Sequence, residues 1–130
     1  MTESLPYARN FRELVVYQKS RRLAGEVFHL SKRFPKEETY SLTDQLRRAS
    51  RAIGANIAEG FGRFHYGDKV KFYYYARGSA YESQFWIKRL QSRKLLVNQK
   101  AIIYLHSLQE IIHELNTLIQ SCKTQSYSKS

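Results

Sequence analysis

The side chains able to do chemistry in this sequence are few and scattered. Four histidines (His29, His65, His106 and His113) and one cysteine, Cys122, are the natural nucleophiles and soft ligands. His106, Glu110 and His113 recur at spacings of four and three, which puts two imidazoles and a carboxylate on one face of a helix. A structural zinc site needs a fourth donor. None accompanies them, so the trio reads as a polar face and no metal site is expected. Glu59 and Glu82 are a second conceivable pair, as general acid and base. Such a pair needs neighbours that push its two pKa values apart, and no histidine, cysteine or metal-ligand spacing stands with them. Glycine-rich phosphate loops and nucleophile motifs are absent. These residues predict a protein that is not an enzyme and that carries no cofactor.

Positive charge is the conspicuous chemistry. The 130 residues hold 22 Lys and Arg against 11 Asp and Glu, a formal charge of +11 that speaks of partners rather than of fold. Eleven of the basic residues fall between Arg47 and Lys94, where only Glu59, Asp68 and Glu82 oppose them. Arg47, Arg48, Arg51, Arg63, Lys69, Lys71 and Arg77 are the candidates for neutralising phosphates of RNA or DNA. Phe64, His65 and Tyr66 are interleaved with Arg63 and Lys69, as in sites where bases stack on aromatic rings. The same composition serves a subunit interface, where aromatic and arginine side chains anchor buried patches. Solvated helix faces would show the charge as well. Tyr73, Tyr74 and Tyr75 are consecutive, so on a helix they face three directions and cannot all enter one core.

Helices must position these groups, because two prolines and six glycines leave little room for a turn-rich β protein. The periodicity predicts four. The first runs from Phe11 to Phe34, with Val16, Ser20, Leu23, Val27, Leu30 and Phe34 as its stripe and Pro35 as its stop. The second begins near Ser41, whose hydroxyl with Asp44 resembles a capping arrangement, and ends at Gly60 and Gly62. Its apolar face is Leu42, Leu46, Ala49, Ile53 and Ile57. The third follows Gly67 and ends at Lys94, burying Tyr73, Ala76, Ala80, Ser83, Ile87 and Leu90. The fourth, Asn98 to Ser121, presents Ala101, Leu105, Leu108, Ile112, Leu115, Ile119 and Cys122. Short links between such helices give an all-α, up-down-up-down antiparallel four-helix bundle. It would span residues 11–122, between flexible ends at 1–10 and 123–130.

Gly54 and Gly78, each inside a helix, point to close backbone approach between the second and third helices. Polar residues share that seam: Gln45, Arg48, Asn56, Glu59, Ser79 and Glu82. A buried amide or carboxylate must be hydrogen-bonded, so a network joining Asn56, Ser79, Glu82 and an arginine of the second helix is expected. With one cysteine, no signal peptide and no apolar run long enough for a bilayer, the expected compartment is the cytoplasm.

The run Gln45-Leu46-Arg47-Arg48-Ala49, then Asn56-Ile57-Ala58-Glu59-Gly60, then Ala76-Arg77-Gly78-Ser79 with Glu82, resembles the bacterial four-helix-bundle family encoded within intervening sequences of 23S ribosomal RNA genes. Phe11 to Leu14, Phe34-Pro35, Glu38 and Leu42 also fall where that family has them, so the resemblance covers about Phe11 to Leu118. It departs at Ala52, Ser83 and Trp86, where serine, leucine and glutamine are common in the family. The resemblance implies a bundle assembled as a cyclic homopentamer. It also implies kinship with accessory proteins of diversity-generating retroelements, basic pentameric bundles thought to hold nucleic acid and a reverse transcriptase. The expected function is therefore a homo-oligomer binding RNA or DNA through phosphates. The alternative is a protein-interaction scaffold, for example an accessory subunit of a reverse transcriptase.

Overall fold

Local hydrogen bonding breaks the first predicted helix in two. The computed structural model describes residues 9–38 and 42–129. Within it Asn10 caps a short 3-10 turn, Phe11–Glu13, by accepting a bond from the Arg12 amide at 2.9 Å. Leu14 then turns extended (φ −74°, ψ 128°) and drives its side chain into the core, so the first α-helix, α1, is Val15–Ser31. It stops three residues short of Phe34. Pro35 disfavours the helical conformation at Phe34, and the chain tightens into bonds from the Lys32, Arg33 and Phe34 amides to carbonyls three residues back.

A second 3-10 turn, Lys36–Glu38, leads toward α2, Asp44–Phe61. The expected cap at Ser41 lies outside the described residues. The end of α2 at Gly60 and Gly62 is as the sequence predicts. Next comes α3, Tyr66–Ser92, entered from an extended His65 two residues before Gly67. Its exit is a turn in which Lys94 adopts φ 60° and the Leu95 amide reaches the Leu90 carbonyl at 2.9 Å. The last helix, α4, is Asn98–Lys129 and runs on past the predicted bundle end at Cys122. No strand occurs among the described residues.

The helices form an all-α antiparallel four-helix bundle. α3 packs extensively on both α2 and α4, while α1 lies against α2 and more lightly against α4. Hence α1 and α3 sit diagonally, and their outer faces look to opposite sides. The predicted stripes of α2 and α3 are all buried. In α1, Leu30 and Phe34 are only half-buried and Ser31 takes the inner position. In α4, Leu105 is half-buried, and Tyr104 and Ile111 join the core.

Serines on the inner faces are satisfied within their own helices. Ser20, Ser31, Ser50 and Ser83 donate to the carbonyls of Tyr17, Phe28, Arg47 and Ser79 at 2.8–3.1 Å. A small hydroxyl that back-bonds in this way leaves no orphaned donor and lets helices approach.

Close approach is real but lies elsewhere than Gly54 and Gly78 imply. Gly54 faces α1, where an added Cβ would stand 3.1 Å from Ser20 Oγ and 3.4 Å from Tyr17. Gly78 looks outward and would meet nothing within 4 Å. The glycine that α2 and α3 require is Gly60, where a Cβ would stand 2.7 Å from Tyr73 Cε1.

Candidate nucleic-acid interface

The seven predicted phosphate contacts separate into groups with different duties. Lys69 is turned inward: its Nζ donates to the Phe61 carbonyl at 2.7 Å and the Gly60 carbonyl at 3.4 Å, closing the C-terminal end of α2. Burial holds its pKa below the usual lysine range. A cation there offsets the negative end of the helix dipole, which is a structural duty. Arg77 reaches across to α4 and donates to Asn116 Oδ1 at 2.8 Å. Arg48 pairs with Asp44 at 3.2 Å and Arg63 with Glu59 at 2.7 Å, each one turn away on the exposed surface. Lys71 is exposed beside Phe72. Arg47 and Arg51 remain on the α1 side of α2, and neither has a carboxylate partner among the described residues.

The predicted stacking trio is only partly assembled. Phe64 is 89% exposed and meets His65 edge-on at 5.0 Å between centroids. Tyr66 begins α3 and packs beside Tyr73, Ile119 and Cys122. The link therefore presents two exposed rings set edge to face rather than a platform of three.

The expected polar network across the α2–α3 seam does not form in the chain. Asn56 donates to the Ala52 carbonyl of its own helix at 2.9 Å. Glu82 accepts from Trp86 Nε1 at 3.3 Å, and Glu59 holds Arg63. Ser79 contributes its carbonyl to Ser83, and Gln45 and Arg48 are exposed. The reason is geometric. The seam is filled by Gly60, Tyr73, Ala76 and Ala80, so longer polar side chains lie at its edges, where partners one turn away are nearer. His106 and Glu110 are 3.4 Å apart, and no group of metal-ligating side chains gathers among the described residues.

Residues on α1 complete the cationic side and were not singled out by the sequence. Phe28 is exposed, with Lys32 Nζ 4.7 Å and Arg47 Cζ 5.2 Å from its ring centroid. Arg47 Nε also donates to Ser31 Oγ at 2.6 Å, so Ser31 ties the guanidinium to α1 while donating to the Phe28 carbonyl. The available signal was Phe28 itself, one position off the Val16–Val27 stripe and four before Lys32. Arg21, Arg22 and His29 flank Gly25 in a neighbouring groove of the same helix.

On the diagonal side, Tyr75, Tyr81 and Phe85 of α3 are each about half exposed, with the bare Gly78 between them. The molecule is thus an antiparallel four-helix bundle with a cationic flank on α1 and α2 and an aromatic flank on α3. The chain belongs to the 23S rRNA-intervening sequence protein family, whose model matches residues 12–117. It is similar to the crystal structure of a protein with unknown function from the S23 ribosomal protein family of Bacteroides thetaiotaomicron. The two are 24% identical over 82% of this chain and 96% of that one, with a TM-score of 0.76. At that identity the likeness speaks for the fold. Among curated proteins none matches the chain. No helix among the described residues is long and apolar enough to cross a membrane.

Proposed function

We propose that the chain works without catalysis, as a cyclic homopentamer that binds RNA or DNA through phosphate contacts. The observation that carries this reading is the division of the surface. Aromatic rings on the outer face of α3 supply an exposed apolar stripe, and on the diagonal side Arg47, Arg51 and Lys32, without carboxylate partners among the described residues, lie together around Phe28. A ring closed through the α3 stripe would cover the aromatics and turn the cationic flank outward on every subunit. Repetition of a weak phosphate site around a ring raises its effective concentration along one strand.

Two measurements test it. Light scattering coupled to size exclusion should give five times the 15.4 kDa chain mass. Fluorescence anisotropy should show binding to nucleic acid at low salt that weakens steeply as salt rises, because neutralised phosphates release counterions. A monomer, or no binding to single-stranded DNA, duplex DNA or structured RNA at low salt, would overturn the proposal.

A second reading is favoured by one feature, the exposed Val97, Ile102 and Ile103 at the start of α4. Apolar side chains displayed there suit a protein partner. In this reading the bundle is a scaffold, such as an accessory subunit of a reverse transcriptase. Charge reversal on α1 and α2 would leave its binding intact, whereas Ile102→Glu would abolish it.

A further inference from the structure

Phe28 stands 43% exposed, although Val16, Leu23 and Val27 of the same helix are buried. Around it α1 and α2 form a groove of about 350 Å³ lined by Ala24, Gly25, Phe28, Arg47 and Arg51. That volume lies at the small end of ligand sites. The lining holds two guanidinium groups, one aromatic ring and no carboxylate. Arg47 is fixed in place by Ser31 Oγ, and Lys32, exposed at the C-terminal cap of α1, reaches the ring from four residues further along the chain.

Gly25 sharpens the inference. A Cβ there would meet nothing within 4 Å, so an alanine would fit and would strengthen the helix. The chain instead leaves bare backbone on the floor of the groove, where a flat ligand can approach closely.

We propose that this groove is a subsite for one unpaired nucleotide of a single-stranded nucleic acid. The base lies on Phe28 and the adjoining phosphate is held by Arg47 and Arg51. Lys32, which caps α1 and whose ammonium lies over the ring, exchanges that contact for a phosphate oxygen as the base arrives. The inference rests on the nucleic-acid reading above and deepens it, since a duplex keeps its base faces stacked on one another and cannot offer one to Phe28. It also places stacking on α1 rather than at Phe64, over whose ring no cation stands among the described residues.

The test is anisotropy of the full chain with three labelled probes of equal length: a base-bearing single strand, the same sugar–phosphate strand made abasic, and a duplex. Phe28→Ala should weaken the base-bearing strand about 5- to 100-fold, the range of one lost base–aromatic contact. It should leave the abasic strand and the duplex unchanged and the salt slope intact. Phe28→Trp should retain binding, and its fluorescence should be quenched by the base-bearing strand alone. Arg47→Gln and Arg51→Gln should each flatten the single-strand salt slope by about 0.7. Phe28→Leu, which keeps apolar volume without a ring, should behave like Phe28→Ala and separates stacking from folding. Equal effects of Phe28→Ala on all three probes, or none on any, would overturn the subsite while leaving the phosphate-binding function standing. Failure of the unaltered chain to bind any probe would overturn both.

Discussion

Substituting Gly60 by alanine should destabilise the bundle although alanine is the better helix former. Gly60 lies in the last turn of α2, where gaining a methyl group returns at most about 1 kcal/mol of backbone entropy. Against this, the new Cβ would sit 2.7 Å from Tyr73 Cε1, 3.0 Å from its Cδ1 and 3.1 Å from Phe72 Cβ. The Tyr73 ring is only 2% exposed and packs with Ile119 and Cys122, so it has nowhere to retreat. Forcing a methyl group into such a core costs about 1–3 kcal/mol. The net loss should be about 1–2 kcal/mol, or about 4–7 °C in thermal midpoint at this chain length.

Gly25→Ala in α1, away from the α3 stripe, is the matched control. Its Cβ meets nothing within 4 Å, so helix propensity acts alone and the chain should gain up to about 1 kcal/mol. Circular dichroism melts at one fixed protein concentration read both, since any assembly makes the midpoint concentration-dependent. A Gly60→Ala midpoint at or above wild type would refute the reasoning, because it would mean that α2 and α3 do not meet at this glycine.

Other expectations follow from different parts of the molecule. Tyr81→Glu with Phe85→Glu should lower the mass seen by light scattering to that of the monomer while helicity is kept, because both rings are half exposed on α3. An unchanged mass would remove α3 from the interface. Ile53→Ala or Leu108→Ala should each cost about 2–5 kcal/mol in denaturant unfolding, since both side chains are fully buried at 0% exposure. Stability should fall above about pH 9. Burial raises Cys122 above its ordinary 9.0, partly offset by the facing Lys69, and raises the adjoining Tyr73 above its ordinary 10.0. The folded chain thus holds protons that the unfolded chain releases, so stability present below those ordinary values is lost as pH rises beyond them. Lys69, whose depressed pKa acts in the opposite sense below 10.5, blunts the fall. Urea midpoints of the chain and of Cys122→Ala across that range measure the slope, and a parallel pH dependence would exclude the thiol.

Amphipathic repeats fixed much about this protein in one dimension. The inner faces of α2 and α3 were legible residue by residue, since a helix has one apolar stripe and Leu46, Ile53, Ala76 and Ile87 mark it unambiguously. Family membership was legible too, carried by the Asn56–Gly60 and Ala76–Ser79 runs and met by the match over residues 12–117. Charge totals were equally plain, but a total has no direction.

Only the tertiary structure decided which cations are spent internally. Lys69 and Arg77 look like Arg51 in sequence, yet the first two are engaged by Phe61 and Asn116, contacts eight and 39 residues apart along the chain. The polar seam failed to appear for a related reason. Periodicity places Asn56 toward the apolar side of its helix, but whether its amide bonds across the seam or back to Ala52 depends on how near α3 comes. That distance is set by Gly60 against Tyr73, a contact between helices. Phe28, which lies beside its helix's stripe rather than on it, is an ordinary flanking residue until α2 brings Arg47 and Arg51 alongside. A helix's own sequence dictates which way its side chains face, and its neighbours dictate what those side chains meet.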